Sequence, residues 1–239
     1  MRNETESGLY KHQCPQCAIR GLCVRAGFDE EEINRVGNEY THEHPPYRKG
    51  ERIFSAGKNA SRSLYVVKSG AIKTEMVMQN GFVRVTGFYL TGEMFGFDTL
   101  GADQQSADAI ALTRSWICEL PADRLETLCS SSPAFQSQVI WRMGRELHNH
   151  SNESVMSRYL SAEKKVARFL RGLLRRLQLQ NTGKDAGLLQ LPMLKADIAS
   201  YLGLDPATLS RVLTVFENCG MIRLDRRRTI EVLDMSLLN

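Results

Sequence analysis

The stretch KADIASYLGLDPATLSRVL, residues 195–213, decides how the C-terminal part of the chain folds. Ala199 is small where two helices would cross, and Gly203 permits a tight turn between them. Asp205 can cap the free N–H groups of the second helix, and Pro206 suits the first helical position. Five apolar residues supply contacts between the helices: Ile198, Leu202, Leu204, Leu209 and Val212. The stretch predicts a helix-turn-helix, although a plain helical hairpin can give a similar pattern.

The start of the second helix carries the candidate base-reading residues. In a helix-turn-helix, the N-terminal residues of that helix reach base edges in the major groove. These positions hold Ala207, Thr208, Ser210 and Arg211. Arg211 is the best candidate for a bidentate contact to guanine.

A predicted wing follows. Residues 221–224 and 229–232 alternate like paired strands around residues 225–228, a turn whose three arginines would lie near phosphates. Residues 158–228 hold 14 basic and six acidic side chains, a net charge of +8. A charge run is often only a solvated face, but this one coincides with a docking motif. Motif, cap, wing and charge together favour double-stranded DNA as the partner.

The composition of the whole chain is that of a globular protein. It has 239 residues, of which 42% are hydrophobic, with room for one or two domains. No uncharged apolar run approaches the roughly 18 residues of a membrane-spanning helix, and the start has no signal-peptide core. We therefore expect a cytoplasmic protein with no membrane partner.

The region from Tyr47 to about Pro121 reads as an all-β barrel or sandwich. Short β-branched and aromatic runs alternate there with glycines. Asn80-Gly81 supplies the positive φ angles of a tight type I′ turn, which predicts a hairpin of residues 71–79 and 82–90 with an exposed tip.

A long helix is predicted from about Ala134 to Leu160. Apolar residues recur at helical spacing along it, and its second half is too polar for a buried core helix. The stripe therefore fits a partner helix across a weak seam, which makes Ile140, Met143 and Leu147 candidate dimerisation residues. The alternative is that the helix packs only on its own barrel.

These elements give an α+β chain with four parts. We predict an N-terminal segment at 1–27, a sensory β-barrel at 28–133, a connecting helix at 134–160 and a DNA-binding domain at 161–239. An amphipathic helix from Ser161 to about Leu177 and a polar loop over 178–187 open the last part.

Three of the six cysteines are clustered. Cys14, Cys17 and Cys23 have the spacing C-x2-C-x5-C, close enough for three thiolates to meet at one metal centre. In a reducing cytoplasm, disulfides are not expected. The lone third cysteine fits a loop around an iron-sulfur cluster better than a zinc site, with Cys118 on a barrel strand as the fourth ligand. Zinc and uncoordinated thiols remain open from spacing alone.

The whole chain resembles the Crp/Fnr superfamily of bacterial regulators, and in particular its Fnr branch of oxygen-responsive iron-sulfur transcription factors. Residues 50–57, GERIFSAG, and 64–70, LYVVKSG, are similar to the superfamily's cyclic-nucleotide-binding-like β-barrel, a jelly roll. The helix-turn-helix with Thr208, Ser210 and Arg211 is similar to its winged DNA-binding domain. Cys14, Cys17, Cys23 and Cys118 match the branch's four ligands of an oxygen-labile [4Fe-4S] cluster.

The resemblance implies a mechanism and its partners. Without oxygen the cluster is intact, and the protein is a homodimer through the long helix, bound to a TTGAT-like inverted repeat. Oxygen destroys the cluster and favours monomers. The hairpin at Asn80-Gly81 lies where the family contacts RNA polymerase. A weak helix seam is an element that a remote ligand can bias.

Two departures from the branch stand out. Ala207 occupies a position where the family usually has a Glu that accepts from cytosine N4, so we expect altered discrimination at the G·C pair of the half-site, by about 1–3 kcal/mol. Ala18 follows Cys17 where some members carry Ser, which bears on the oxygen lability of the cluster.

Two rival functions can be weighed on the sequence. A cyclic-nucleotide regulator needs an Arg for the phosphate, but residues 92–98 read GEMFGFD and no Arg-Ser/Thr-Ala motif follows. A thiol-disulfide enzyme would surround Cys14-Pro15-Gln16-Cys17 with a βαβ pattern that the sequence does not have. We therefore expect a regulator and not an enzyme.

Overall fold

A computed structural model describes residues 18–58, 62–79, 81–102, 104–178, 188–225 and 229–233. The helices are α1 Ala18–Arg25, α2 Glu30–Arg35, α3 Ala122–Ser131, α4 Pro133–Tyr159, α5 Ala162–Gln178, α6 Lys195–Leu202 and α7 Pro206–Asn218. The strands are β1 His42–Glu43, β2 Arg52–Phe54, β3 Ser63–Ser69, β4 Ala71–Val77, β5 Val83–Leu90, β6 Met94–Phe95, β7 Asp108–Ala111, β8 Trp116–Pro121, β9 Leu188–Gln190, β10 Ile222–Asp225 and β11 Thr229–Val232. Of the helices in these ranges, none combines the length and the apolar character that a bilayer crossing requires.

The first eight strands form the predicted β-barrel. They make two antiparallel sheets, in the orders β1-β8-β3-β6 and β2-β7-β4-β5. Tyr65, Tyr89 and Phe95 meet in the space between the sheets, with ring centroids 5.1–5.3 Å apart. Burial raises the pKa of Tyr89 to about 12, which keeps its hydroxyl neutral. The barrel interior is therefore packed with side chains.

The β4–β5 hairpin is confirmed, but its turn differs from the prediction. Met78 N donates to Phe82 O at 2.8 Å, and Gly81 N donates to Met78 O at 2.8 Å. This pairing leaves three residues in the loop instead of two, with Gly81 at a φ of +79°. A turn followed by a left-handed glycine is the usual three-residue hairpin connection, and it uses Gly81 without requiring a type I′ turn.

Helix α4 lies within one residue of its predicted limits. Helix α3 ends at Ser131, and Ser132 separates it from α4 because a residue that precedes a proline disfavours the helical conformation. One face of the first turns of α4 is buried, because Phe135 and Val139 pack with Ile19 and Leu22 of α1. The N-terminal segment that carries Cys23 is thus in direct contact with the long helix.

The C-terminal region is a helix-turn-helix on a three-stranded sheet. Helices α5, α6 and α7 pack over strands in the order β10-β11-β9, so the predicted wing strands pair as expected. Strand β9 was not predicted, because it has three residues and its partner lies about 40 residues further along the chain. The predicted polar loop begins one residue late, because α5 includes Gln178. The rest of that loop and the three wing arginines, Arg226, Arg227 and Arg228, lie outside the described residues.

One hydrophobic core crosses from the barrel into the C-terminal region. Val85, Phe88 and Leu90 of β5 belong to the same cluster as Leu170 of α5 and Ile198 of α6. Phe88 is 5% exposed, and its ring packs against those of Phe169 and Tyr201, with centroids 6.1 and 5.3 Å away. The two regions are therefore joined by apolar packing as well as by the chain.

Candidate nucleic-acid interface and thiol cavity

The second helix of the helix-turn-helix, α7, is capped as predicted. Asp205 accepts hydrogen bonds from Thr208 N at 2.8 Å and from Thr208 Oγ1 at 2.6 Å, and Pro206 occupies the first turn. These bonds from Thr208 lower the pKa of Asp205, so the cap is a carboxylate at neutral pH. Gly203, between α6 and α7, has a φ of +65°, a left-handed conformation that suits glycine.

Helix α7 has one buried and one open face. Leu209, Val212, Leu213 and Phe216 are buried in the core. Of the predicted base-reading residues, Ala207, Ser210 and Arg211 are exposed, and Thr208 is half-buried. Arg211 Nη2 donates to Thr208 Oγ1 at 2.9 Å, and Thr208 Oγ1 donates in turn to Asp205. The Thr208 hydroxyl is thus engaged in the helix itself, while Arg211 stands at its surface.

The helix-turn-helix is docked on the outer edge of the barrel. Strand β5 ends its sheet, so one side of its backbone faces away from β4. Ser200 of α6 covers this side: its hydroxyl donates to Val83 O at 3.1 Å and accepts from Val85 N at 3.0 Å. The Arg84 guanidinium lies against Gly203 in the turn. The barrel edge therefore fixes the orientation of α6 and, through the turn, of α7.

Two ion pairs reinforce this docking. Lys73 Nζ on β4 lies 2.8 Å from Asp197 of α6 and 2.7 Å from Glu75. Burial acts to lower the pKa of Lys73, but the hydrogen bonds to Asp197 and Glu75 outweigh it and hold that pKa above its ordinary value. On α5, Arg176 donates to both carboxylate oxygens of Glu93 at 2.7 and 2.5 Å. None of these contacts between distant parts of the chain was predicted from sequence.

The Arg176–Glu93 pair also bears on the barrel as a ligand site. Glu93 is the glutamate of the GEMFGFD stretch, and its carboxylate accepts hydrogen bonds from Arg176 of α5 and from Leu90 N at 2.8 Å. Rings of Tyr65, Tyr89 and Phe95 fill the space between the sheets. Both observations weigh against a cyclic-nucleotide pocket.

Cys23 and Cys118 line one cavity beside the barrel. Its wall also includes residues from α1, the α2 region, β1 and β3: Ile19, Arg20, Ile33, Asn34, Val36, Gly37, Thr41, Glu43 and Lys68. Cys23 is buried on α1, and Cys118 lies half-buried in the middle of β8. Cys23 is thus on a helix and not on a loop, which corrects that part of the sequence interpretation. Two cysteines that are 95 residues apart in sequence thus line the same cavity.

The other two predicted ligands, Cys14 and Cys17, lie outside the described residues. Within those residues, no group of three side chains that could hold a metal ion is found, so the described part of the chain supplies two thiols to the cavity. Two thiols on one largely apolar wall are the donor type that iron-sulfur clusters use. The remaining cysteines are elsewhere: Cys129 is half-buried on α3, and Cys219 is exposed at the end of α7.

The middle of α4 presents an apolar surface. Ile140, Met143 and Leu147 are all exposed, Ile140 at 62% and Leu147 at 70%. Trp141 lies between two guanidinium groups, with Arg25 of α1 5.2 Å and Arg145 4.9 Å from its ring centroid. The predicted dimerisation residues therefore do not pack on the barrel, and α1 reaches the same stretch of helix.

Comparison with known proteins agrees with this architecture. Residues 45–132 match the cyclic nucleotide-binding domain family, and residues 164–239 match the Crp-like helix-turn-helix domain family. The chain is 32% identical to the fumarate and nitrate reduction regulatory protein of Escherichia coli strain K12 over 217 residues, which is 91% of this chain and 85% of that protein. It is 31% identical over 238 residues to electron transport regulator A of Shewanella oneidensis, covering 100% of this chain and 93% of that one.

Solved structures give the same result for the fold. FixK2 from Bradyrhizobium japonicum matches with a TM-score of 0.73 and 25% identity over 83% of this chain and 95% of that one. The c-di-GMP responsive global regulator CLP from Xanthomonas campestris matches with a TM-score of 0.67 at 19% identity, over 86% of this chain and all of that one. Barrel, long helix and helix-turn-helix thus recur together in regulators with this domain order, and the chain belongs to the Crp/Fnr family of transcription regulators.

Proposed function

We propose that the chain is an oxygen-responsive regulator of anaerobic gene expression that holds a [4Fe-4S] cluster through Cys14, Cys17, Cys23 and Cys118. The observation that carries this proposal is the meeting of Cys23 and Cys118 on one cavity wall. Relatives named for fumarate and nitrate reduction and for electron transport add support. In functional terms, residues 1–27 would bind the cluster, 28–133 sense it, 134–160 dimerise and 161–239 bind DNA.

The contacts of α1 suggest how a cluster at Cys23 could influence the exposed face of α4 where a second copy would pack. Cys23 lies on α1, whose Leu22 packs with Val139 of α4. Arg25, at the end of α1, stacks on Trp141, the neighbour of Ile140. A bound cluster supplies oxygen sensitivity, because thiolate-held iron is open to oxidation. Holding α1 in place then steadies the part of α4 where a second copy would pack.

Anaerobic purification followed by iron, sulfide and absorbance measurements tests the cluster. We expect about four irons and four sulfides per chain and a brown chromophore that air bleaches. Cys23→Ala and Cys118→Ala should abolish it, whereas the matched controls Cys129→Ala and Cys219→Ala should retain it. Stoichiometric zinc, or no metal, would contradict the cluster and leave DNA binding in place.

The open face of α7 is the proposed DNA contact. Ala207, Thr208, Ser210 and Arg211 would face the bases of a TTGAT-like inverted repeat. Because Ala207 has no carboxylate, selection of sites from random DNA should return weakened or changed preference at the G·C pair, and Ala207→Glu should restore it by about 1–3 kcal/mol. Selection of an unaltered TTGAT…ATCAA site with full G·C preference would contradict this.

Two further partners belong to the proposal. A second copy of the chain would cover Ile140, Met143 and Leu147 in a homodimer. The tip of the β4–β5 hairpin would contact RNA polymerase, which its exposed apolar residues support: Phe82 is 72% exposed. Pull-down of polymerase by the wild type but not by Phe82→Ser, with operator binding unchanged, is the expected result.

A further inference from the structure

An ion pair lies on the wall of the cavity that holds Cys23 and Cys118. Lys68 Nζ on β3 is 2.5 Å from Glu43 Oε1 on β1, and both residues line the cavity. Lys68 is the more enclosed partner, with 9% of its side chain exposed. A charged pair so placed is close enough to act on whatever the thiols bind.

The sheet register places Glu43 beside Cys118, and the ion pair brings Lys68 to the same place. Glu43 is directly opposite Cys118 in the β1–β8 pairing, and Val66 is opposite Cys118 in the β3–β8 pairing. Lys68 lies at an irregularity of β3 between Val67 and Ser69, where regular alternation does not hold. Its ion pair with Glu43 and its position on the cavity wall put its ammonium on the same side of the sheet as Cys118. Directly opposed side chains in antiparallel sheets have Cβ atoms about 5 Å apart, so Glu43 and Cys118 are close neighbours.

We propose that the Lys68–Glu43 pair sets how firmly the cluster at Cys23 and Cys118 retains its electrons. The inference rests on the proposed cluster, whose four thiolates leave it with a net negative charge. The ammonium of Lys68 offsets that charge, and the carboxylate of Glu43 adds to it. Net charge and hydrogen bonds around the sulfurs are the main determinants of iron-sulfur potentials.

The two charges predict opposite effects of neutralising each partner. Lys68→Met leaves Glu43 uncompensated beside the cluster, so oxidation by dioxygen, which accepts one electron from it, becomes easier. Glu43→Gln removes a negative charge beside the cluster, so the same electron is held more firmly. If the pair merely tied β1 to β3, both variants would loosen the cavity and shift cluster loss in the same direction.

The experiment follows both variants after anaerobic purification with full iron content. The readouts are the midpoint potential by spectroelectrochemistry and the rate at which the visible absorbance decays in air. We expect Lys68→Met to lower the potential and speed decay by about fivefold, and Glu43→Gln to raise the potential and slow decay by about fivefold, as for unit charges several ångströms away in a partly screened site. For one electron, fivefold corresponds to about 40 mV.

Three controls make the result specific. Lys68→Arg keeps the charge and should leave both readouts near wild type. Lys49→Met and Glu31→Gln remove exposed charges that do not line the cavity and should change neither readout. Shifts of the same sign in Lys68→Met and Glu43→Gln, or no shift in either, would overturn the inference. A wild-type protein without a cluster would instead contradict the proposed function before any variant is compared.

Discussion

The docking face of β5 and the outer face of α4 both carry large apolar side chains, but those of β5 are buried and those of α4 are exposed. On the docking face, Phe88 of β5 is buried in one cluster with Leu170 of α5, and Lys73 forms an ion pair with Asp197. On α4, Ile140 and Leu147 remain exposed. The first surface is satisfied within one chain, so it serves to orient the DNA-binding domain. The second has no apolar cover among the described residues, which fits its proposed role as the surface that a second copy covers.

Substitution of the core residue Phe88 is the strongest test of the difference between the buried and the exposed surface. Phe88→Ala should lower the free energy of unfolding by about 3–5 kcal/mol, because it leaves a cavity between barrel and C-terminal domain. Phe82→Ala, at the exposed tip of the same hairpin, should stay within about 0.5 kcal/mol of wild type. Urea unfolding measures both. Equal effects of the two substitutions would mean that the barrel and the C-terminal domain do not share a core.

Breaking the Lys73 ion pair should have the next largest effect. Lys73→Met leaves Asp197 and Glu75 facing each other without a cation and should cost about 2 kcal/mol, less than the roughly 3–5 kcal/mol of fully buried pairs. Arg223→Met removes an exposed partner of Glu231 and should cost less than about 1 kcal/mol. If both variants lose the same stability, the docking contact is no stronger than a surface pair.

The same pair predicts a pH dependence. Because the pKa of Lys73 is raised in the folded protein, its contribution is complete below the ordinary lysine pKa of about 10.4 and is lost as the pH rises through the folded value. The stability difference between wild type and Lys73→Met should therefore be level from about pH 6 to 9 and shrink above about pH 10.5. A difference that already shrinks near pH 8 would contradict this assignment.

For the α4 face, the expected effect is on association and not on folding. Leu147→Ala should leave the unfolding free energy of the monomer within about 0.5 kcal/mol. It should weaken the dimer about tenfold, roughly 1.4 kcal/mol, since each copy loses apolar contact. Sedimentation equilibrium under anaerobic conditions measures this. Val77→Ala, which is similarly exposed on the hairpin, should leave the dimer unchanged.

The smallest expected effect concerns the contact that links α1 to that face. Arg25→Gln removes the guanidinium from the ring of Trp141 and should narrow the difference in dimer affinity between the cluster-loaded and cluster-free protein by roughly 1 kcal/mol. Arg145→Gln removes the other guanidinium at Trp141 but lies on α4 itself, so it should leave that difference intact. Matching results for the two variants would exclude a role of α1 in the coupling.

Local signals in the sequence predicted the parts of the fold that rest on local contacts. The cap at Asp205 and the turn at Gly203 act within a few residues, and the helical spacing along α4 is a property of that helix alone. The barrel was predicted from short strand runs, but the turn at Gly81 was not, because one dipeptide fits two turn geometries.

Contacts between residues far apart in the sequence could not be predicted from local patterns. Lys73 and Asp197 are 124 residues apart, and neither has a neighbour that indicates the other. Glu93 lies in the stretch that we compared with a cyclic-nucleotide pocket, but in the structure it pairs with Arg176, 83 residues away. At the thiol site, spacing suggested that Cys118 joins the N-terminal cysteines, but only the folded chain brings Lys68 and Glu43 to the same wall.

The hydroxyl of Ser200 protects the edge strand of the barrel. By bonding to Val83 O and Val85 N, it occupies backbone groups that an unprotected edge strand offers to any other strand. A barrel made without its C-terminal domain would expose this edge next to the apolar hairpin tip, a combination prone to aggregation. The C-terminal domain therefore also covers a barrel edge that could otherwise pair with a strand of another chain.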